Sequence, residues 1–403
     1  MKKVLATILA LVMAIGLCSV SWATGSTLPT AENGVIKLTE NVTLTERWEV
    51  AANTEITLDL NGYSITSAGQ VIMNNGKLTI TDNKGGGKIV STGSQAIGVG
   101  SNSVTNIQKA IVESVEGAVI TGRAIGAIIN IYDGTFSASD NAVIAGNGSD
   151  REGTGNTINI SGGVFNGKIT TPGYVACGIY APWKDNINVT GGTFNITGGA
   201  GIVARAGNVT VTNAVFNTTG NATGKVGDSR VVVPCSAIVF DSQANYPAMN
   251  NDSVIHVVSG KFNSEMNAVS MIKNDNETDR VAVTGGTFSS DVSAYAAGNT
   301  PVASNNGTYY VGAETIQNAA NTLSAGQQLK IEKGTVTING NTVTAGTSYT
   351  VPSRYYYYHP TTDTKTDGTK GSPKTFDAGI ALYVGMALTS AAGVAFVGKK
   401  RED

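Results

Sequence analysis

The stretch INVTGGTFNIT (residues 187–197) contains no His, Cys, Asp or Glu, yet close variants of it recur along the chain. The variants include INISGGVFNGK, IHVVSGKFNSE and VAVTGGTFSSD. The phenylalanine of the phrase recurs, at spacings of 29, 29, 22, 46 and 26 residues, as Phe136, Phe165, Phe194, Phe216, Phe262 and Phe288. Self-similarity of this kind is typical of a repeat architecture, so the phrase is informative about the fold.

The Gly-Gly pair of the phrase lies where the apolar pattern changes phase. Ile187 and Val189 alternate with polar residues, which is typical of a strand with one buried face. After the glycines, Phe194 and Ile196 take the apolar role, one residue out of phase. A strand that turns a corner with its apolar side kept inward needs such a shift, and glycine tolerates the backbone angles. Repeated corners predict a coil that winds around a core.

A second phrase, a small residue followed by aliphatic residues, falls between successive phenylalanines. Its copies are NAVIAG, CGIYAP, AGIVARAG, SAIVFD and NAVSMI. The interval of 46 residues also holds one copy, so we interpret it as a single unit with longer loops. Units of this length with short strands predict a parallel β-helix. Leucine-rich repeats would need a Leu-x-x-Leu-x-Leu phrase, which is absent, and propeller blades need about 40 residues.

Earlier segments, such as ITLDLNGYSIT and KLTITDNKGGGKIV, follow the same plan less strictly. We therefore expect an all-β solenoid of roughly ten coils between residues 35 and 310, on the order of 50 Å tall at about 4.8 Å per coil. The LDLNGYSIT phrase and the repeated GGTF resemble pectin-lyase-like right-handed parallel β-helix proteins, and more closely the β-helix surface proteins of Gram-positive bacteria. The resemblance implies the fold but no single activity, because this fold hosts lyases, hydrolases, adhesins and inert stalks.

The composition limits the partners of the chain. It has 403 residues, a formal net charge of -2 and 14% charged residues. Nucleic-acid binding needs a basic field, so no nucleic-acid partner is expected. No cofactor and no metal site are predicted either.

Residues 1–23 are typical of a secretory signal peptide. Lys2 and Lys3 precede the apolar run VLATILALVMAIGL, and the small residues Ser21 and Ala23 predict cleavage after Ala23. The alternative is a retained membrane anchor.

The rest of the chain divides, by the same patterns, into a β-helix at 24–310, a small β cap unit at 311–353, a flexible tether at 354–371, and a sorting signal at 372–403 with a transmembrane helix at 380–397. The cap would cover the open edge that the last coil of a solenoid leaves. The charge-free run before the basic tail GKKRED would span roughly 27 Å as a helix, enough for a bilayer core. The tail would stay cytoplasmic.

The pentapeptide SPKTF before the apolar run consists of Ser372, Pro373, Lys374, Thr375 and Phe376. Pentapeptide, apolar helix and basic tail in this order resemble a sortase sorting signal, which implies cleavage after Thr375 and linkage to the wall. Ser372 stands where Leu is usual, and Phe376 stands where Gly is usual. A variant sortase and a plain membrane anchor therefore both remain open. The expected location is the cell wall or cytoplasmic membrane of a Gram-positive bacterium.

An enzyme of the pectin-lyase-like class, a polysaccharide lyase or a glycoside hydrolase, is the alternative function. Such hydrolases need clustered aspartates, and such lyases need carboxylates on Ca²⁺ with a basic residue nearby. The chain has no Asp-Asp pair, and its two histidines are His256 and His359. The scattered loop carboxylates are Asp150, Glu152, Asp185, Asp241, Asp252, Asp275, Glu277 and Asp279, and the basic candidates are Arg123, Arg151, Arg205 and Arg280. We expect these to be solvated loop charges and predict no catalytic residue.

The loops IYAPWKDN and VFDSQANYPAMNN favour ligand binding more than catalysis. Their candidate binding residues, with an arginine from the coil between them, are Tyr180, Trp183, Arg205, Phe240 and Tyr246. Aromatic faces suit sugar rings, and polar neighbours fix their orientation. The alternative is that these rings fold back and shield the rod.

Cys177 and Cys235 begin matching copies of the second phrase with one whole unit between them. Two coil rises are about 9.6 Å, beyond the roughly 7 Å that a disulfide spans between Cα atoms. We therefore predict two reduced, buried thiols.

The sequence as a whole favours a secreted, cell-surface-anchored β-helix protein that acts by contact. Its expected role is that of an adhesin-like or structural module, with extracellular polysaccharide or host glycans as candidate ligands and a sortase as processing partner. The polysaccharide-acting enzyme and an inert stalk are the alternatives.

Overall fold

The computed structural model describes residues 27–122, 124–139, 141–146, 155–227, 232–242, 254–273 and 280–353. Within them the chain winds repeatedly through three parallel sheets, which we number 1, 2 and 3 in the order that the chain meets them. Each turn adds one strand to each sheet, so the chain rises by one strand spacing per turn. Strands are numbered in chain order.

Sheet 1 contains ten strands: β1 (Val35–Lys37), β4 (Glu55–Asp59), β7 (Lys77–Thr81), β10 (Val104–Ile107), β13 (Ile128–Ile131), β16 (Thr157–Ile160), β19 (Asn186–Val189), β22 (Asn208–Val211), β27 (Val254–Val257) and β30 (Val281–Val283). Sheet 2 begins with ten parallel strands: β2 (Val42–Leu44), β5 (Ser64–Ser67), β8 (Lys88–Ser91), β11 (Ile111–Glu113), β14 (Thr135–Ser139), β17 (Val164–Lys168), β20 (Thr193–Thr197), β23 (Ala214–Thr219), β28 (Gly260–Ser264) and β31 (Gly286–Phe288). Sheet 3 contains nine strands: β3 (Trp48–Val50), β6 (Ile72–Asn74), β9 (Gln95–Val99), β12 (Gly117–Ile120), β15 (Ala142–Ala145), β18 (Ala176–Ala181), β21 (Gly199–Ala204), β26 (Ile238–Asp241) and β29 (Val269–Ile272).

The predicted all-β solenoid is confirmed. The chain forms a parallel β-solenoid of the right-handed type with about nine turns, compatible with a pectin-lyase-like fold. The sequence predicted roughly ten coils; β30 and β31 begin a further turn that adds no strand to sheet 3 among the described residues. The longest interval between phenylalanines is one turn, as predicted, because β23 pairs directly with β28.

The repeated phenylalanines form a continuous stack inside sheet 2. Successive ring centroids lie 4.4 to 5.4 Å apart, with ring planes 8° to 11° from parallel. All six rings are buried, and aliphatic side chains of sheet 1 such as Ile187 and Val189 share the same core. A slip of one residue in any coil would turn its ring outward, so the stack fixes the register of the coils.

The corner between sheets 1 and 2 depends on glycine. Gly163, Gly192 and Gly286 occupy this corner in different turns with φ of +102°, +97° and +117°. A side chain is strained in this region, and a Cβ at Gly192 would also lie 3.2 Å from Cε2 of Phe165. The shift in apolar phase at the Gly-Gly pair therefore marks the position of this corner in the sequence.

An antiparallel hairpin interrupts the longest turn and covers the outside of sheet 3. Its strands are β24 (Thr223–Lys225) and β25 (Val232–Pro234). Val226 and Val233 belong to a second apolar cluster, together with outward residues of sheet 3 such as Cys177. The middle strands of sheet 3 are therefore buried on both faces.

A mixed unit follows the solenoid and extends sheet 2. It contains β32 (Val302–Asn305), β33 (Thr308–Val311), helix α1 (Ala313–Thr322), β34 (Gln328–Lys333), β35 (Thr335–Ile338), β36 (Asn341–Thr344) and β37 (Ser348–Thr350). Strand β33 pairs antiparallel with β31, so it covers the edge of the last parallel strand of sheet 2. The sequence predicted only β-structure here, whereas α1 buries Ile316, Ala319 and Ala320 against a third apolar cluster.

No helix in the described part of the chain is long and apolar enough to cross a membrane. The predicted signal peptide at 1–23, tether at 354–371 and transmembrane helix at 380–397 lie outside the described residues.

Candidate functional site

The predicted binding residues that the structure describes lie near the corner where the chain leaves sheet 3. Tyr180 belongs to β18, Phe240 belongs to β26, and Arg205 directly follows β21. Nη1 of Arg205 donates to the hydroxyl oxygen of Tyr180 at 2.9 Å. Trp183 lies in the turn after β18, and Tyr246 lies outside the described residues.

Arg205 also forms a buried ion pair. Its Nε donates to Oδ2 of Asp241 at 2.9 Å, with the two side chains 3% and 0% exposed. Asp241 is the last residue of β26, one turn beyond Arg205. The guanidinium therefore links three successive turns of the solenoid, from Tyr180 to Asp241.

The rings expected to meet a ligand are mostly buried. Trp183 is 1% exposed, and Phe240 is 2% exposed and packs within the main core. Tyr180 is half-buried and packs against the apolar cluster outside sheet 3. Trp183 and Phe240 therefore present almost no surface to a sugar.

A second buried polar group holds the same corner. Oδ1 of Asp185 accepts from the backbone N and Nδ2 of Asn156 at 2.8 and 2.9 Å. Oδ1 of Asn156 in turn accepts from the backbone N of Ala127 at 2.9 Å, one turn earlier. Asp185 and Asp241 are thus both fully buried and hydrogen-bonded, not solvated as expected from the sequence, because they join neighbouring turns.

The other polar residues considered for an enzyme are separated or not described. Asp150, Glu152, Asp252, Asp275, Glu277, Asp279, Arg123, Arg151 and His359 lie outside the described residues. His256 lies exposed on β27, and the backbone N of Arg280 donates to Sδ of Met271 at 3.3 Å. Within the described ranges, no three His, Cys, Asp or Glu side chains come together as a metal site.

Cys177 and Cys235 are free and buried, in agreement with the prediction from coil spacing. Burial raises the pKa of each thiol above its usual range. For Cys235 the nearby Glu265 raises the pKa further. Low thiolate content makes these groups poor nucleophiles.

The outer faces of sheets 1 and 2 carry ladders of asparagine that the sequence did not lead us to predict. In sheet 1 each amide Nδ2 donates to Oδ1 of the preceding turn at 2.8 to 2.9 Å, along Asn106, Asn130, Asn159 and Asn188. In sheet 2 the corresponding distances are 2.8 to 3.3 Å, along Asn166, Asn195, Asn217 and Asn263. The sequence signal for these ladders was the recurrence of asparagine at one fixed place in successive copies of the repeat.

The ladders order the polar surface. Each amide inside a ladder gives one N–H and one lone pair to its neighbours and keeps the other N–H and lone pair for solvent. The result is a row of uncharged donors and acceptors at the spacing of β-strands, about 4.8 Å.

The predicted sorting residues Ser372, Pro373, Lys374, Thr375 and Phe376, and the predicted cleavage position Ala23, lie outside the described residues. Comparisons with protein-family models, curated proteins and solved structures gave no match for this chain.

Proposed function

We propose that this chain is an extracellular contact module, a stiff β-solenoid held at the cell surface that binds neutral glycans. The asparagine ladders carry the proposal. Donors and acceptors on the outer faces, fixed at regular intervals, suit a ligand that is rich in hydroxyl groups. The coil-to-coil hydrogen bonds hold each amide in place, so little side-chain entropy is lost when it binds.

The electrostatics support a neutral ligand. The net charge of the chain is -2, so no strong field would attract a polyanion or a polycation. Acidic polysaccharides and nucleic acids would both need clustered cations.

The proposal of surface display rests on two sequence patterns, at residues 1–23 and 372–403. The charged and then apolar start of residues 1–23 is typical of export, and the SPKTF pentapeptide with its apolar run and basic tail is typical of attachment. Covalent linkage through a sortase would leave the chain on the wall, whereas an uncleaved tail would leave it in the membrane.

The test is to express the full-length chain in a Gram-positive host. Intact cells should bind an antibody against the solenoid and should be retained on surfaces coated with neutral polysaccharide. Replacing ladder amides, as Asn159→Ala with Asn188→Ala, should reduce retention, whereas Gln108→Ala, an exposed amide in a turn, should not. Surface labelling without retention on any glycan would reject the binding role, and new reducing or unsaturated ends in the polysaccharide would favour the enzyme instead.

A further inference from the structure

The corner between sheets 2 and 3 changes shape from one turn to the next. Two successive turns cross it with few residues between strands: residues 114–116 in one turn, while in the next β14 ends at Ser139 and β15 begins at Ala142. The backbone N of Ser139 donates to the carbonyl oxygen of Val115 at 3.2 Å, so the end of β14 lies directly against the first connection. The following turn instead makes a longer excursion between β17 and β18, at residues 169–175. A long connection beside two short ones leaves a step in the surface of the rod.

This step forms an open groove of about 360 Å³. Its main lining residues are Val115, Glu116, Ser139, Asn141, Thr171 and Tyr174. Val115 and Glu116 lie between β11 and β12, Ser139 ends β14, Asn141 directly precedes β15, and the long excursion contributes Thr171 and Tyr174.

The hairpin outside sheet 3 closes one end of the groove at Gly227. The φ of Gly227 is +49°, and a Cβ there would lie 2.7 Å from Oδ1 of Asn141. Glycine therefore lets the end of β24 approach the amide closely. Oδ1 of Asn141 also accepts from the backbone N of Ala142 at 2.8 Å, which fixes the orientation of the amide.

The backbone of Tyr174 is held in place. It forms a bridge with Lys225 of β24, and its backbone N donates to the carbonyl oxygen of Thr171 at 3.3 Å. Tyr174 is half-buried, whereas Val115 on the opposite wall is 44% exposed. The groove thus has an aromatic side chain and an aliphatic side chain as its apolar surfaces.

We propose that this groove binds one or two rings of a neutral saccharide, with the ring of Tyr174 against the apolar face of the sugar. A volume of about 360 Å³ lies at the lower end of the range of about 300–1,000 Å³ for small-ligand sites. Hydroxyl groups of Ser139 and Thr171 and the amide of Asn141 supply hydrogen-bonding partners for sugar hydroxyls. This is the pairing of an aromatic ring with a few placed polar groups that sugars require.

The charge of the lining selects against acidic sugars. Among the lining residues that the structure describes, Glu116 carries the charge and none is a cation. Its Oε2 accepts from Oγ of Ser94 at 3.2 Å, which orients the carboxylate and leaves lone pairs for a sugar hydroxyl. A uronate would bring a second negative charge to this carboxylate.

The proposal rests on glycan binding by the chain but is independent of the asparagine ladders, which lie on the flat faces. The test uses purified full-length protein in a polyoxyethylene detergent, which carries no sugar, and a panel of immobilised neutral and uronate-containing oligosaccharides. The unsubstituted protein should bind neutral members in preference to acidic ones. Tyr174→Ala should weaken that binding about tenfold, and Tyr174→Phe should restore most of it.

Two further variants make the test specific. Tyr132→Ala removes a ring that is 47% exposed after β13 and should leave binding unchanged. Glu116→Lys, at an exposed position, should shift the preference toward uronates even if Tyr174→Ala does not fold. Circular dichroism and melting temperature establish that each variant is folded.

The outcomes separate this proposal from the broader function. If the unsubstituted protein binds glycans and both Tyr174→Ala and Glu116→Lys bind equally well, the groove is not the binding site. The broader contact function would still stand. Preference of the unsubstituted protein for acidic glycans would also overturn the groove. Failure to bind any glycan would overturn both.

Discussion

Arg205 and Asp241 lie 36 residues apart in the sequence but form a buried ion pair in adjacent turns. Removing one partner from such a pair leaves a poorly compensated buried charge and typically costs about 3–5 kcal/mol. We therefore expect Arg205→Ala to lower the free energy of unfolding by about this amount, measured by chemical denaturation. Lys77→Ala is the matched control, since its pair with Glu55 has side chains 49% and 68% exposed and its loss should cost at most about 1 kcal/mol. Equal small losses would contradict the structural role of Arg205.

Asp59, in the LDLNGYSIT phrase, makes stability depend on pH. Burial raises its pKa, but hydrogen bonds from the side chain and backbone of Asn83 and from the backbone of Asn61 outweigh burial, so the net pKa is lowered. A lowered pKa in the folded state stabilises the protein above the unfolded-state value of about 3.9, and this contribution is lost as pH falls through the folded-state pKa.

The corresponding prediction concerns Asp59→Asn, which keeps the shape of the side chain but cannot ionise. Between about pH 5 and pH 2, the unfolding free energy of this variant should fall less steeply than that of the unsubstituted protein. Urea denaturation across this range measures both slopes. Identical slopes would mean that Asp59 does not contribute to acid sensitivity.

At the scale of the element, the corner between sheets 1 and 2 requires a left-handed residue in most turns. Gly192→Ala should destabilise the protein by more than about 1 kcal/mol, because φ is +97° there and the added Cβ meets Phe165 and the carbonyl oxygen of Gly163. Gly69→Ala is the control, since its φ is not left-handed and no atom lies within 4 Å of the added Cβ. Thermal melts of the two variants should separate clearly; similar melting temperatures would show that the corner tolerates a side chain.

The strands and corners were predictable from sequence because they depend on local alternation and on glycine, both repeated in each turn. The buried state of Trp183 and Arg205 was not predictable, because it depends on neighbours in other turns, such as Asp241. Helix α1 was missed although Ile316, Ala319 and Ala320 follow helical spacing. The groove beside Tyr174 could not be predicted from the sequence either. It arises because connections of unequal length in successive turns lie side by side only in the folded chain.

At the scale of the whole molecule, the last turn of the solenoid ends in a strand edge of sheet 2 that must be covered. Strands β33, β32, β34 and β37 continue sheet 2 by antiparallel pairing, and helix α1 packs beside them. An uncovered edge would expose unpaired backbone groups to a second molecule. We therefore expect the cap unit to limit edge-to-edge association of the solenoid, as terminal repeats do in other solenoids.

Leu329 tests this role because it is fully buried in the apolar cluster that joins α1 to β34. Leu329→Asp places a charge in that cluster and should open the cap while the coils of the solenoid remain intact. We expect the β-sheet signal in circular dichroism to persist and self-association to rise with protein concentration in analytical ultracentrifugation. Gln328→Asp adds the same charge at the exposed neighbouring position and should stay monomeric. A monomeric Leu329→Asp protein with an intact solenoid would show that the edge is protected without the cap.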